Sequence, residues 1–295
     1  MPCKIVGIGE ILWDVFPQGR KLGGAPANFT YFVKNLRQNG LTASRVGNDP
    51  LGAEIIDSIK GIGLDEEFIQ VDSKYPTGTV MIKIRSGQPD YIISEKAAWD
   101  FLELSDSWKR LSGEADVICF GTLAQRSLKS RNTITDFLKL SGNSVIRVFD
   151  INLRNDFYSL KIISQSLELT TILKLNQDEL ELLKISDGFP HIKDDISFCR
   201  KLMGIYDIRL VCVTRGKDGS LLVDKNCHYD HPGYKVTVAD MVGAGDAFTA
   251  AIVIRYLQGG TLEDMSILAN RLGSWVSSHT GPTPELDEEI KRYLK

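Results

Sequence analysis

The sequence lacks the signals that would assign it to a membrane, to secretion or to a nucleic acid. No apolar run approaches the length of a transmembrane helix, and residues 1–8 lack the regions of a secretory signal. No block of lysine or arginine stands out and the formal net charge is −3, so neither nucleic acid nor membrane is expected as a partner. The five cysteines are odd in number and scattered, which is typical of free thiols in a reducing compartment. We therefore expect a cytoplasmic protein.

Two common nucleotide-binding motifs and a zinc site are also missing. No stretch supplies Gly-x4-Gly-Lys-Ser/Thr, the phosphate loop of Walker-type kinases. Gly7 and Gly9 follow an apolar run, but Leu12 stands where a dinucleotide fingerprint has its third glycine. Cys227 and His228 could suggest zinc, yet no second thiolate pair lies nearby. A nucleotide site, if present, must therefore be built in another way.

Apolar runs alternate with helical patterns from residue 116 onward. The strand-like runs span 117–120, 145–149, 171–174, 210–214 and 220–223, and the helical patterns span 128–140, 159–169, 177–184 and 194–204. Repeated strand–helix units predict an α/β fold with a mostly parallel sheet covered by helices on both faces. Ligands of such sheets bind beyond the carboxyl ends of the strands.

Residues 77–93 depart from this rhythm. The segment 79–85 alternates between apolar and polar residues, a turn follows, and 91–93 returns, which predicts a hairpin. The segment 11–16 also alternates and places Asp14 on the same side as Leu12. Together these strands would form a small sheet outside the main layer, serving as a lid over a cleft or as a dimer surface. Asp14 is then either a loop cap or a ligand contact.

The strongest candidate site is the glycine-rich turn at 240–246. The small residues Gly243, Ala244 and Gly245 let the backbone approach a ligand, and an apolar helix pattern follows. The free N–H groups of a first helical turn bind anions, and Asp246 would lie beside them. A base beside an anion site suits the transfer of a charged group to a hydroxyl. A simple strand-to-helix connection with an aspartate cap is the alternative.

A second glycine-rich turn, 23–28, precedes another helical stretch. Its glycines leave room for a polar ligand, and Asn28 offers both a donor and an acceptor. Near the C-terminus, Asn270 and Ser274 share one face of a helix that begins at Thr261. That face is either a solvated stripe or a set of ligand contacts.

The turns at 23–28 and 240–246, in this order and spacing, resemble the PfkB (ribokinase-like) family of carbohydrate kinases. The likeness extends from Gly7 to about Gly281. It implies the transfer of the γ-phosphoryl group of ATP to a sugar hydroxyl. Two further elements, Asp-Ile-Asn-Leu-Arg at 150–154 and Ala-Trp-Asp at 98–100, resemble the fructokinase branch, which implies fructose as the sugar.

The resemblance also implies the domain organisation. Residues 1–295 would form a single ribokinase-like domain, a three-layer α/β/α structure with a mostly parallel central sheet. A small β-sheet lid would come from about 11–17 and 77–100, and a homodimer could form through it.

The family's functional positions fall on identifiable residues of this chain. By this resemblance Asp246 would take the proton of the acceptor hydroxyl, while the N–H groups of Gly243, Ala244 and Gly245 would stabilise the phosphoryl group. The sugar-binding positions would be Asp14, Gly23, Gly24, Asn28 and Arg154. The ATP-binding positions would be Asn176, Glu179, Thr214, Gly216, Gly219 and Asn270. Arg154 could instead pair with Asp156, and the Asn-x-x-Glu pair could simply cap a helix.

Metal ions are implied as well. Mg²⁺ would lie near Asn176 and Glu179, held through water. A monovalent cation, K⁺ in many relatives, would involve Asp240 and the carbonyl of Val242. Position 241 is usually threonine in this motif and is methionine here, so a bulky thioether replaces a hydroxyl in the loop that would hold the monovalent cation. The alternatives are another substrate of the family (2-keto-3-deoxygluconate, ribose or a nucleoside) or a non-catalytic sensor of sugar or nucleotide.

Overall fold

A mostly parallel β-sheet forms the centre of the molecule. The structure, a computed structural model, describes residues 2–16, 19–85, 88–186 and 192–293, and only the backbone at 82–85, 88–91 and 289. The strands within these residues are β1 (Lys4–Ile8), β2 (Leu12–Phe16), β3 (Gly19–Gly23), β4 (Asn39–Gly47), β5 (Ile69–Asp72), β6 (Gly78–Arg85), β7 (Gln88–Ile93), β8 (Val117–Gly121), β9 (Ile146–Asp150), β10 (Ile172–Asn176), β11 (Leu210–Thr214), β12 (Ser220–Asp224) and β13 (His228–His231).

Among the described residues, nine strands make up the central sheet, in the order β13-β12-β11-β10-β9-β8-β1-β4-β5. All neighbours from β5 to β11 pair in parallel, while β12 and β13 are antiparallel. The expected mostly parallel sheet is confirmed. The chain adds strands in one direction from β1 through β4 and in the other from β8, so the order reverses between β1 and β8. Such a reversal opens a crevice beyond the strand ends, where ligands bind.

Helices cover both faces of this sheet. They are α1 (Ala25–Asn35), α2 (Pro50–Gly61), α3 (Asp106–Glu114), α4 (Leu128–Leu140), α5 (Leu160–Leu167), α6 (Gln177–Ser186), α7 (Asp195–Tyr206), α8 (Ala244–Leu257), α9 (Leu262–Ser277) and α10 (Glu288–Arg292). The apolar residues of α1, α2, α8 and α9 form one core cluster, and those of α3 to α7 form the other. The three-layer α/β/α architecture is therefore confirmed. No described helix has the length and apolar character needed to cross a membrane.

Helix α8 carries the principal candidate site and is buried between α1 and α9. Its residues from Ala247 to Ile254 are all buried, because the helix is apolar on every side. The helix begins at Ala244, three residues before the start of the apolar pattern in the sequence. Gly243 precedes it with a φ of 84°, and a side chain there would overlap the carbonyl of Pro282. A glycine is thus required where the turn enters the helix.

A second sheet forms the lid. Its four strands, counted over the described residues, lie in the order β3-β2-β6-β7. The predicted hairpin is confirmed as the antiparallel pair β6 and β7, and β2 joins it in parallel through β6. Part of the predicted hairpin turn, at 86–87, lies outside the described residues. The sequence analysis assigned no strand to β3, which pairs antiparallel with β2 and is polar at its exposed end.

One local expectation was wrong. Asn28 belongs to the first turn of α1 and not to a preceding loop, because Pro26 is tolerated at the start of a helix. The helix expected to begin at Thr261 is confirmed as α9, with the Thr261 hydroxyl accepting the N–H of Asp264 at 3.1 Å.

Candidate active site

A cavity of about 450 Å³ lies between the lid sheet, the first turn of α8 and the carboxyl ends of β9 and β10. It occupies the crevice at the reversal of strand order. Its lining includes Asp14, Gly24, Asn28, Arg154 and Asp246. These five residues come from β2, the start of α1, the segment after β9 and α8. The structure thus brings together most of the residues that the resemblance assigned to catalysis and sugar binding.

Asp246 stands in the first turn of α8 and faces the cavity. The side-chain amide of Asn28 donates a hydrogen bond to its Oδ2 at 2.9 Å. Burial raises the pKa of Asp246 to about 7 and the negative charge of Asp150 adds to the rise, against the opposing effects of Asn28, Lys174 and Arg154. A carboxyl group with a pKa near neutrality is suited to accept a proton during a reaction.

The backbone of the same turn lines the cavity at Gly243 and Gly245. Among the residues that the structure describes, neither Gly243 nor Gly245 donates its N–H to a backbone carbonyl. The N–H of Ala244 makes only a long contact, 3.4 Å, with the carbonyl oxygen of Met241. Unpaired N–H groups at the N-terminus of a 14-residue helix favour an anion.

Lys174 is a buried cation that the sequence analysis missed. Its Nζ donates to Asp150 Oδ1 at 2.9 Å, and it also lines the cavity. A Cβ placed on Gly245 would lie 3.3 Å from Nζ, so the ammonium group lies against the first turn of α8. Burial alone would lower the pKa of Lys174, but the charges of Asp150, Glu179 and Asp246 raise it, so the group is charged. A lysine within the apolar run Ile172–Asn176 was the available signal.

Asn176 and Glu179 connect β10 to α6. The side chain of Asn176 accepts the N–H of Glu179, and Glu179 Oε2 accepts the N–H of Asn176, each at 2.8 Å. Glu179 Oε1 accepts the N–H of Leu153 at 2.8 Å, which ties α6 to the segment after β9. The capping interpretation is thus confirmed for this pair, which is not among the residues lining the cavity. Burial raises the pKa of Glu179.

Asp14 forms the lid side of the cavity. Burial raises its pKa to about 6, against the attraction of Arg154. Gly23, on the neighbouring strand β3, leaves the space that this carboxylate fills, because a side chain at Gly23 would overlap Asp14 Oδ2. Gly24 has a φ of 110° and lies against the carbonyl of Glu10. Glu10 is a further buried acid of the cavity that the sequence analysis missed.

Arg154 is exposed at the mouth of the cavity, and its Nη1 donates to the carbonyl of Leu153 at 3.1 Å. Its positive charge lowers the pKa of Asp14 and of Asp246. No ion pair joins Arg154 to Asp156 in the part of the chain that the structure describes.

The residues predicted to bind ATP lie along the same edge of the sheet but outside this cavity. Asn176 is beside Thr214 in the pairing of β10 with β11, and Thr214 is beside Ser220 in the pairing of β11 with β12. Asn270 donates to Ser220 Oγ at 2.7 Å and is only 6% exposed, so the interpretation of its helix face as a solvated stripe was wrong at this position. Gly219 has a φ of 82°, and a side chain there would overlap the carbonyl of His231.

The predicted cation residues form a loop just before α8. Asp240 Oδ1 accepts the N–H of Val242, and Oδ2 accepts the N–H of Gly281, both at 3.1 Å. The ammonium group of Lys21 lies 3.4 Å from the same Oδ2. Among the described residues, no group of three or more acidic, histidine or cysteine side chains is arranged to hold a metal ion.

Comparison with known proteins identifies the family. Residues 13–289 match the family described as pfkB family carbohydrate kinase. The chain belongs to this family. The family that the two glycine-rich turns indicated is therefore confirmed, and the chain is a sugar kinase of the pfkB type.

Individual relatives resemble this pfkB chain along nearly its whole length. It is 28% identical to the uncharacterized sugar kinase PH1459 of Pyrococcus horikoshii, over 97% of this chain and 94% of that protein. The structure of PH1459 in complex with ATP has a TM-score of 0.82 at 26% identity and covers 98% of this chain and 99% of its own. A fructokinase of Escherichia coli is 29% identical over 86% of this chain and 84% of its own length.

A fructokinase double mutant of Vibrio cholerae, with fructose, ADP and potassium bound, shares the fold. Its TM-score is 0.81 at 22% identity, and the match covers 100% of this chain and 99% of that one.

Proposed function

We propose that this pfkB kinase transfers the γ-phosphoryl group of ATP to a hydroxyl of fructose, with Asp246 as the general base. The observation that carries the proposal is the position of Asp246. Its carboxyl group has a pKa of about 7, faces a cavity large enough for a monosaccharide and lies in the first turn of a helix whose N–H groups attract an anion.

The proposed reaction has one proton transfer and one phosphoryl transfer. Asp246 takes the proton of the sugar hydroxyl, and the resulting oxygen attacks the γ-phosphorus as its bond to the β-phosphate oxygen breaks. The N–H groups of Gly243, Ala244 and Gly245 stabilise the negative charge on the transferred group. Asn28 orients the base through its 2.9 Å hydrogen bond to Oδ2. ADP and the sugar phosphate are the products.

Lys174 is a buried cation that we also assign to this step. Its ammonium group lies against Gly245 and is held there by Asp150. Three carboxylates, Asp150, Glu179 and Asp246, keep it charged in a buried place. A fixed positive charge behind the anion site stabilises the developing charge of the transferred phosphoryl group without reorganising.

Magnesium is expected to bind together with ATP. The oxygens of Asn176 and Glu179 already accept backbone N–H groups, so these residues fit a metal held through water and not a direct ligand role. When bound, Mg²⁺ would neutralise phosphate charge. We expect ATP to bind along the sheet edge described above, against Asn176, Glu179, Thr214, Gly216, Gly219 and Asn270. The overall similarity of this chain to the ATP complex of PH1459 supports this position.

The sugar is expected to lie against Asp14, Gly24 and Arg154. Asp14 would accept hydrogen bonds from two hydroxyls, and Gly23 keeps the space for its carboxylate. Fructose is favoured because the Escherichia coli relative is a fructokinase.

A homodimer through the lid is supported by Met81 and Ile92, which lie opposite each other in the lid sheet and are 43% and 41% exposed. The buried free thiols Cys119, Cys199 and Cys212 support a cytoplasmic location.

Potassium fits this chain poorly, although the Vibrio cholerae fructokinase binds it. Asp240, the charged ligand predicted for it, already has an ammonium group beside Oδ2. We therefore derive no step of the reaction through a monovalent cation.

An assay of ADP release over a panel of acceptors tests the proposal. The panel comprises fructose, ribose, 2-keto-3-deoxygluconate, tagatose and adenosine, each with Mg·ATP. We expect the highest kcat/KM with fructose. A clear preference for another acceptor would replace fructose while retaining the kinase. If no acceptor gives ADP release although ATP binding is measurable, the result would contradict the kinase proposal and favour a sensor.

A further inference from the structure

The loop that precedes α8 is held by one carboxylate. Asp240 accepts the N–H of Val242 with Oδ1 and the N–H of Gly281 with Oδ2. Its own N–H donates to the carbonyl of Ser277 at 3.2 Å. The Asp240 side chain is 19% exposed, so its negative charge is largely removed from water. A partly buried carboxylate in this position requires a nearby positive charge.

Lys21 supplies that charge from the lid. It lies on β3, and its Nζ is 3.4 Å from Asp240 Oδ2. A Cβ placed on Gly281 would lie 3.8 Å from both Cδ and Nζ of Lys21, so the end of this side chain packs against the same segment that Asp240 holds. The ammonium group also lies 5.4 Å from the centre of the Phe16 ring. Lys21 is thus directed at the loop by contacts on several sides.

The same ammonium group stands between two carboxylates. Lys21 is opposite Asp14 in the pairing of β2 with β3. Burial is the largest cause that raises the pKa of Asp14 and Arg154 is the largest that lowers it; the charge of Asp240 adds to the rise, and the charge of Lys21 opposes it. The sequence of charges from the sugar site to the loop is therefore negative, positive, negative. The positive charge of Lys21 therefore acts on both Asp14 and Asp240.

The loop itself lacks a feature that would favour a metal ion. Met241 replaces the threonine usual in this motif and is 76% exposed, so no hydroxyl oxygen comes from this position. A potassium ion beside Asp240 Oδ2 would meet the ammonium group of Lys21, which repels it. The residues therefore fit a built-in cation better than a bound one.

We propose that the ammonium group of Lys21 replaces the monovalent cation next to the anion site, so that this kinase needs no potassium. Lys21 acts as a positioning residue through the loop. Gly243 begins the anion site and lies against Pro282, which directly follows the Gly281 that Asp240 holds. By neutralising Asp240, Lys21 keeps this support in place and adds a positive potential near the transferred phosphoryl group. The proposal rests on the proposed kinase activity.

The test compares the wild-type protein with Lys21→Met in potassium chloride and in tetramethylammonium chloride of equal ionic strength. We expect equal kcat in both salts for the wild type. In tetramethylammonium the kcat of Lys21→Met should fall roughly tenfold, less than the 10²–10³ that loss of a direct donor costs. Potassium should restore most of this loss, because it can enter the vacated place.

Arg20→Met is the matched control. Arg20 is the neighbour of Lys21 on β3, points to the opposite side of the lid sheet and stacks on Trp13 at 5.3 Å. This variant loses the same charge from the same strand, and its kcat should be equal in the two salts. A wild-type requirement for potassium would overturn the proposal. So would a Lys21→Met variant that keeps its kcat in tetramethylammonium, or one whose loss potassium fails to restore.

Thermal unfolding separates this proposal from the proposed function. Potassium should raise the Tm of Lys21→Met in a concentration-dependent manner and leave the wild type unchanged, because an ion that binds only the folded state stabilises it. This measurement needs no sugar, so it decides the role of Lys21 even if no acceptor in the panel is phosphorylated. Equal effects of potassium on the Tm of both proteins would overturn the proposal.

Discussion

Two buried ion pairs in this molecule have similar geometry but different surroundings. Arg126 binds Asp100 with two hydrogen bonds, each 2.8 Å long, and its guanidinium group stacks on Trp99 at 4.0 Å. Lys174 binds Asp150 at 2.9 Å. Both pairs are at most 9% exposed. Burial and distance alone would therefore give them the same role.

The number of charges around each pair distinguishes them. Arg126 forms its ion pair with Asp100 and lies over the rings of Trp99 and Phe157, and its charge also acts on Glu10. Among the described residues, two cation–anion contacts therefore lie there, with no clustering of carboxylates around one cation by hydrogen bonds. Lys174 serves Asp150, Glu179 and Asp246 together, so the second cluster has more negative than positive charge. The excess negative charge acts on Asp246. Burial and the charge of Asp150 raise the pKa of its carboxyl group to about 7. A balanced pair favours a role in the stability of the fold, whereas an unbalanced cluster supports the proposed role of Asp246 as a base.

The largest effect should come from removing the base. Asp246→Asn keeps the shape and the hydrogen bond from Asn28 but cannot accept a proton. We expect kcat to fall by roughly 10³-fold while ATP affinity changes little. An ADP-release assay measures the first quantity and titration calorimetry the second. Asp57→Asn, an exposed position of α2, is the control and should keep its kcat. Near-normal turnover of Asp246→Asn would remove this residue from the role of base.

The unbalanced cluster shows why the sequence predicts only part of the site. Gly243 to Asp246 are neighbours in the chain, so their local pattern predicts a turn, a helix start and a base together. Lys174 approaches Gly245 only because β10 ends at the same sheet edge where α8 begins. That approach depends on the tertiary arrangement of distant segments. A lysine in an apolar strand is the only trace of it in the sequence.

The fold, like the candidate site, was predictable from the sequence only in part. Strand–helix alternation predicts the central sheet, because each buried strand is a short apolar run. Strand β3 has no such run, since Leu22 is its only large apolar side chain and its first two residues are exposed, so it was not predicted, and neither was Lys21. Asn270 was ambiguous, because spacing on a helix gives a face but not whether that face meets solvent or Ser220.

A smaller effect is expected when the cation of each pair is removed. Lys174→Met and Arg126→Met each remove the cation of a buried ion pair, which costs about 3–5 kcal/mol of unfolding free energy. Only Lys174→Met should also lower kcat, by roughly 10²-fold, because only Lys174 lies at the anion site. Denaturant unfolding and assays at a temperature where both variants stay folded measure the two effects. Equal losses of kcat would contradict the distinction between the pairs.

The smallest effect tests the charge balance itself through the pH profile. Because Asp246 must be unprotonated to act, the wild-type kcat/KM should fall tenfold per pH unit below a pKa of about 7. Asp150→Asn removes the negative charge that raises this pKa, so the acid limb should move to lower pH, by on the order of one unit. The activity at pH 6 relative to pH 8 then rises.

Asp100→Asn is the matched control for that shift. It removes the carboxylate of the Arg126 ion pair, as Asp150→Asn removes the carboxylate of the Lys174 ion pair. Its loss of stability should be comparable, yet its acid limb should coincide with that of the wild type, because Asp100 is not among the charges that act on Asp246. If both variants shifted the limb equally, or neither did, the pKa of Asp246 would not be set by the excess charge of its cluster.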